Sequence, residues 1–298
     1  PAGSGDIAQR SYWTAPFAPR ERPEGEIAAE LAERLRRSVE SRLASDVPLG
    51  VFLSGGIDSS AVVAMMAQLR EARSIRTFTI RFEERSFDES EYARQVADFF
   101  GTEHREEAMS ARRALEILPE AAELLDEPFG DPSILPMHLL CGFTRRHVTV
   151  ALGGDGGDEL FAGYDPFQAD AAGRWAARLP GWARAALRAA AGRLPTSHRN
   201  ISLDFRIKRF LRGLEYPQGR RHAVWLGSFP PEWQRELLSP EALGSVDPEA
   251  AFAAVDGHWA ASERLDGLDR VIYQYYKLYL QDDILTKVDR ASMAHGLE

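Results

Sequence analysis

Val51-Phe52-Leu53-Ser54-Gly55-Gly56-Ile57-Asp58-Ser59-Ser60 runs from a short apolar segment through a Ser/Gly turn into an alternating helical pattern. That order predicts strand, loop and helix, and with them an anion site. Two glycines let successive amide N–H groups converge, and the new helix adds unpaired N–H donors and the positive end of its dipole. Ser54, Ser59 and Ser60 can add hydroxyl donors. Asp58 is the most telling residue, because a carboxylate at the edge of a phosphate pocket repels its ligand unless a divalent cation stands between them. No G-x-x-x-x-G-K-S/T is present and no lysine lies near the loop, so the P-loop NTPase motif is excluded. A lone S-G-G would read as a tight corner; the apolar strand before it, the Asp at this spacing and a second acidic loop favour phosphate.

The second loop follows the apolar segment Val148-Thr149-Val150-Ala151-Leu152 and reads Gly153-Gly154-Asp155-Gly156-Gly157-Asp158-Glu159-Leu160-Phe161-Ala162-Gly163-Tyr164. Its glycines allow close approach of backbone to ligand, and Asp158 faces the first loop if the two strands are neighbours. Asp58 and Asp158 would then share a magnesium ion bridging phosphates, which suits a cation that takes one or two carboxylates plus phosphate oxygens. An EF-hand is rejected because its D-x-D-x-D-G spacing fails after two acids. A structural Gly/Asp turn stays as the alternative.

Around these loops the chain alternates. Strands are expected at Leu49 to Leu53, Arg76 to Phe82, Glu103 to Ala108 and Val148 to Leu152. Helices are expected at Glu26 to Ala44, Asp58 to Arg70, Glu89 to Phe100, Ala111 to Leu125 and Leu135 to Arg146. Strand followed by helix, repeated, predicts an α/β fold with a parallel sheet covered on both faces, whose ligands sit at the carboxyl ends of the strands. Residues 1–23 read as a linker or arm, 24–164 as the α/β core, and 165–298 as a mainly helical part broken at Pro195 to Asn200 and at Pro230-Pro231.

Composition is that of an ordinary globular protein, with 298 residues, 44% hydrophobic, and a formal net charge of −9. That charge argues against a nucleic-acid surface. The local cluster Arg206, Lys208, Arg209, Arg212, Arg220 and Arg221, with Phe205, Ile207, Phe210 and Leu211 on the other side, reads as a solvated helix face. The single cysteine, Cys141, excludes an intrachain disulfide and a C-x-x-C motif, and it fits core packing in a reducing, cytoplasmic setting. No run reaches the roughly 18 apolar residues of a membrane span, and no leader is expected. Pro1 at one end and a helical stretch reaching Glu298 at the other read as a piece of something longer. Lys208, Lys277 and Lys287 are the three lysines, which draws attention to each.

Four motifs in order resemble the synthetase domain of glutamine-dependent asparagine synthetases. They are S-G-G-I-D-S, then Asp126-Glu127-Pro128 with Asp131 and Ser133, then G-G-D-G-G-D-E-L-F-A-G-Y, then Lys287-Val288-Asp289-Arg290-Ala291-Ser292-Met293-Ala294. The resemblance runs from about Ser11 to Glu298. It implies an adenine-nucleotide alpha hydrolase-like fold of the PP-loop ATP pyrophosphatase type. It also implies a reaction in which a carboxylate attacks the α-phosphate of ATP, releasing pyrophosphate, before ammonia displaces AMP. By the same resemblance Ser54, Gly55, Gly56, Asp58, Ser59 and Ser60 hold pyrophosphate and magnesium, Asp158 completes the metal site, and backbone near Phe52, Leu53, Ile80 and Gly154 holds adenosine. The position of Asp155 is commonly a glutamate there, assigned to proton transfer; Asp is one methylene shorter.

The carboxylate acceptor, aspartate by default, needs a cationic or amide-lined pocket, which Asp126 to Ser133 and Lys287 to Met293 would border. For Lys287 a salt bridge with Asp283 at helical spacing is an equal alternative to a substrate role. The family carries an amino-terminal glutaminase domain with a nucleophilic cysteine, a partner expected in the parent chain, and continues with an A-R-x-P-F-L-D segment and a further lysine. A homodimer is compatible with the resemblance. Related scaffolds act on sugar acids, peptide carboxylates or ring-closing substrates, though the latter tend to carry a phenol at the Asp155 position. Two other readings are a non-catalytic nucleotide-binding module and a sulfur-transferring or tRNA-modifying pyrophosphatase; the latter usually has cysteine pairs or basic RNA surfaces, which this sequence lacks.

Overall fold

In a computed structural model, residues 10, 12–18, 20–127, 129–197, 201–227, 229–265 and 267–298 are described. Residues 1–9, 11 and 19 of the expected arm, Pro128 of the acidic motif, and residues 198–200 of the expected break lie outside them. Strands β1 (Leu49–Phe52), β2 (Arg76–Phe82), β3 (Glu103–Met109) and β4 (Val150–Leu152) form a parallel sheet in the order β3-β2-β1-β4. The first-loop strand β1 therefore lies beside the second-loop strand β4, with Val51 opposite Leu152. β4 starts two residues later than expected. Thr149 and Val150 bond the Pro48 carbonyl as a lead-in, while Glu298 bonds Thr149 and Ala151 along the other edge.

The interleaving helices are α1 (Glu24–Arg42), α2 (Ile57–Leu69), α3 (Ser90–Phe100), α4 (Ala111–Glu123), α5 (Ile134–Arg145) and α6 (Gly157–Phe161). Alternation along β1 sorts its side chains between two cores. Leu49, Val51 and Leu53 join Val39 and Leu43 from the α1 end, Val62, Val63 and Met66 of α2, and Ala93 and Ala97 of α3. Phe52 joins Phe78, Cys141, Phe143 and Ala291 on the opposite face. Val51, Val63, Phe78 and Cys141 are fully buried. Each large apolar side chain removed from water contributes about 1.5–3 kcal/mol, and a one-residue slip of β1 would exchange the two sets, so burial fixes the register. Gly50 is needed where β1 passes Phe78, since a Cβ there would fall 2.6 Å from the ring.

The remaining chain is helical among the described residues: α7 (Asp165–Ala176), α8 (Gly181–Gly192), α9 (Leu203–Gly213), α10 (Gln218–Leu226), α11 (Pro231–Leu237), α12 (Pro240–Ser245), α13 (Ala253–Ala261), α14 (Gly267–Gln274) and α15 (Leu285–Met293). A π-helical segment, Tyr275–Ile284, joins α14 to α15 without a break. α15 packs back on α5, so the last helix covers the same sheet face as α5. Within the expected arm, Phe17 meets Tyr273 and Tyr276 edge-on.

The basic cluster is not uniformly solvated, as the sequence had suggested. Arg221 is buried against Asp170 at 3.3 Å, and Asp170 also bonds Gln218. Arg220 is held by Glu249 and Asp256. Conversely, Phe205 on the supposed inner side is exposed. No described helix is long and apolar enough to cross a membrane.

Candidate active site

β1 ends by handing its Leu53 N–H to the Phe78 carbonyl at 2.9 Å, and the chain turns at once into α2. Gly55 makes that turn with φ +85°, a left-handed angle that costs a side chain about 1–2 kcal/mol. Space excludes one as well, because a Cβ there would sit 2.5 Å from the Ala93 amide. Gly56, by contrast, is in ordinary extended geometry with φ −68°, so of the two glycines only Gly55 is required for its backbone angle. The hydroxyls of Ser54 and Ser59 lie 3.0 Å apart, and Ser59 also approaches the Ser54 amide and the Gly56 carbonyl, which fixes the loop before any ligand arrives.

The second loop is clamped onto the first. A Cβ on Gly154 would lie 2.8 Å from the Ser59 amide, and one on Gly157 would lie 2.3 Å from the Asp58 carboxyl carbon. Gly163 folds back under Asp158, where a Cβ would fall 1.9 Å from its Oδ1. These glycines bring Asp58 and Asp158 to one rim with neither held in a salt bridge among the described residues. Loss of solvation raises the Asp58 carboxyl above its ordinary value; the same cause, then the Asp58 and Glu159 charges, raises Asp158. Two desolvated, mutually repelling carboxylates without a cation fit a divalent ion, and hard oxygen donors suit magnesium.

Across the cleft stands a buried ion pair. Lys287 of α15 is 6% exposed and donates to Asp131 at 2.8 Å and to Ser133 Oγ at 2.7 Å. Asp131 also accepts from the Ser133 amide and hydroxyl at 2.9 and 2.8 Å. Burial works to raise Asp131, but these bonds outweigh it and hold the carboxyl below its ordinary value. Arg290, one turn on, pairs with Asp126. The two segments expected to border the acceptor are thus tied together, 154 to 164 residues apart in sequence.

The Lys287–Asp283 salt bridge, one of the two readings of Lys287, does not form. Lys287 reaches across to the loop before α5, while Asp283, on the π-helical segment, keeps Oδ1 buried without a hydrogen-bond partner. Burial, then the Asp131 charge, pushes the Asp283 carboxyl up to about 6. A carboxyl raised from 3.8 binds more protons folded than unfolded, so it lowers stability as pH rises from about 4 through 6. Asp283→Asn is therefore expected to raise stability at pH 7 by about 1 kcal/mol, allowing for residual screening, and hardly at all at pH 4. Thermal melts at the two pH values test this; an equal effect at both would show that Asp283 is not the strained group.

Together these walls enclose a cleft of about 420 Å³ at the carboxyl ends of β1, β2 and β4, within the usual range for a small-molecule site. Of the residues singled out in the sequence, Phe52, Leu53, Ser54, Asp58, Ser59, Ile80, Gly154, Asp155, Asp158 and Lys287 line it. Gly55 and Ser60 lie instead in a shallow depression beside α3, and the buried Ser60 hydroxyl has no partner. Asp155 stands at the mouth, its carboxyl raised by burial against the pull of Lys287. Glu159 and Tyr164, quoted in the second loop without a role, and Thr79, which the sequence does not single out, also line the cleft. Glu159 is 2% exposed and accepts the Tyr164 hydroxyl at 2.5 Å.

Residues 30–298 match the asparagine synthase family model. The chain belongs to the asparagine synthase family. Asparagine synthetase [glutamine-hydrolyzing] 1 of Bacillus subtilis is 30% identical over 99% of this chain and 44% of its own length. A putative asparagine synthetase of Mycobacterium bovis is 32% identical over 90% and 39%, and amidase chry2 of Gibberella zeae is 33% identical over 54% and 27%. The chain thus spans about half or less of the length of these curated relatives. Family membership and the parallel sheet agree on an α/β, adenine-nucleotide alpha hydrolase-like fold. Among solved structures, NMN synthetase from Francisella tularensis aligns over 93% of this chain and 98% of its own, at 11% identity and a TM-score of 0.34.

Proposed function

We propose that this chain is the ATP-using part of an amide-forming ligase of the asparagine synthetase type. A carboxylate oxygen of the acceptor attacks the α-phosphorus of ATP, the bond to the bridging oxygen breaks, and pyrophosphate leaves. Ammonia then adds to the acyl-AMP carbonyl, AMP departs, and a proton is lost to give the amide. The observation that carries this reading is the pair of glycine loops clamped at adjacent strand ends, with Asp58 and Asp158 on one rim.

Asp58 and Asp158 would hold magnesium, which supplies charge neutralisation at the phosphate oxygens. Ser54 and Ser59 form the fixed amide and hydroxyl lining around pyrophosphate, already ordered by their mutual contact, so little reorganisation accompanies the reaction; Gly55 and Gly56 shape the turn that carries them, and the Ser60 hydroxyl, on the α3 side, is outside this lining. Phe52, Leu53, Ile80 and Gly154 wall the adenosine end. Asp155, whose carboxyl is raised by burial against the pull of the Lys287 charge, would take a proton from the attacking amine. Lys287 keeps Asp131 and Ser133 in place at the acceptor end. The acceptor is a carboxylate, with aspartate as the expectation that the resemblance supplies, and ammonia would come from a glutaminase domain of the parent chain.

Pyrophosphate release by the full-length parent protein with ATP, magnesium and ammonium tests the reading. Acceptor-dependent release with AMP as co-product is expected. ATP binding with no pyrophosphate under any acceptor would make the chain a nucleotide-binding module instead.

A further inference from the structure

The helical half holds a second concavity that the adenylation chemistry does not use. Between α7, α8 and α9 lies a groove of about 1110 Å³ walled by Leu187, Leu194, Leu203, Phe205 and Phe210. Leu203 is 72% exposed and Leu187 46%, so apolar side chains face the open groove. Its inner end is closed by Tyr164 and Tyr279, whose rings meet edge-on at 5.6 Å. Tyr164 is also a wall of the nucleotide cleft, so one side chain separates the two spaces. The π-helical segment delivers Tyr279 to this junction, and such segments are frequent at functional sites.

Arg209 lies at the same end. It has no carboxylate within salt-bridge distance among the described residues, unlike Arg206 at the rim, which pairs with Asp165 at 3.2 Å. Its guanidinium stacks over Phe205 at 5.0 Å and reaches only the Gly227 carbonyl, at 3.4 Å. A partly buried cation without a counter-charge, between apolar walls and next to the cleft, is complementary to an anion carried on an apolar body.

We propose that the groove binds the acceptor, and that the acceptor is a carboxylic acid with an extended apolar body rather than free aspartate. The body lies along α7, α8 and α9, and Arg209 draws the carboxylate to the Tyr164–Tyr279 junction, from which it enters the cleft. Arg209 is thus a positioning residue. The inference rests on the adenylation reading above, and the experiment separates the two.

Decanoate is titrated calorimetrically into the full-length parent protein with ATP and magnesium, and pyrophosphate release is followed with decanoate or aspartate as acceptor. The expected result is decanoate binding that Ala190→Trp, which fills the exposed groove wall, abolishes. Arg209→Met should weaken it about tenfold, as loss of one charged partner predicts, raising KM for the acceptor while KM for ATP stays put. Decanoate binding with no pyrophosphate release from either acceptor would leave the groove a binding site and sink the adenylation reading, whereas decanoate binding with release from aspartate alone would overturn the groove as the acceptor site and keep that reading. Aspartate-driven release indifferent to both substitutions, or no decanoate binding at all, overturns the groove assignment, the latter also being the result if another part of the parent chain fills it.

Discussion

Asp58→Asn and Asp158→Asn are each expected to lower magnesium-dependent pyrophosphate release about 10²–10³-fold, the usual effect of removing one pre-placed electrostatic element from a transition state. Stability should not fall. Both carboxylates are desolvated and raised above their ordinary values, Asp158 in part by Asp58 itself, so the charge is a burden on the folded protein until a cation arrives. Asn keeps the shape that Gly157 and Gly163 accommodate and removes the repulsion. Melting temperatures without magnesium should therefore hold or rise, and the stabilisation that magnesium-ATP gives the unmodified protein should shrink. Normal turnover in both variants would reject the shared-metal assignment; a collapsed fold would mean the carboxylates are structural.

Lys287→Met should have the opposite profile and destabilise by about 3 kcal/mol, because it strips the cation from a buried pair and leaves Asp131 without its partner. In a chain of this size that is a drop of about 5 °C or more. Asp131 has a depressed carboxyl, so its contribution is fully present above its unfolded value of 3.8 and is lost as pH falls through the lower folded value. The penalty of Lys287→Met should accordingly be largest near neutrality and fade below about pH 4. Lys287→Met combined with Asp131→Asn should recover much of the loss, since no charge is then stranded. Melts from pH 3 to 7 on the two single variants and the double one decide it. A penalty independent of pH would assign Lys287 to packing alone.

Ten of the residues marked out in the sequence line one cleft, and the reason is local. A strand end, a glycine turn and a helix start follow one another in the chain, so Leu53 through Ser59 cannot avoid presenting amides and hydroxyls at one strand end. The same holds for Gly154 through Asp158. Ser60 was expected beside Ser59 but lies off the cleft, because one helical position further turns the side chain by about 100° of arc, toward α3. Gly56 looked equivalent to Gly55 because identity alone does not reveal φ. The basic stretch misled in the same way: Arg221 shows charge in the sequence, but only Asp170, 51 residues earlier, makes its burial tolerable.

What the sequence determined by itself was whatever depends on neighbours in the chain: the alternation that makes an α/β parallel sheet, the two acidic glycine loops, and the family to which their order belongs. Tertiary structure alone decided the pairings between distant segments. Asp283 and Lys287 stand at helical spacing, and the local rule favours their salt bridge. Lys287 instead reaches Asp131 and Ser133, because α15 packs on α5 and buries its amine where the loop before α5 offers a carboxylate and a hydroxyl. Likewise the groove at Arg209 exists only once α7, α8 and α9 are assembled, since no periodicity within one helix encodes the space between three.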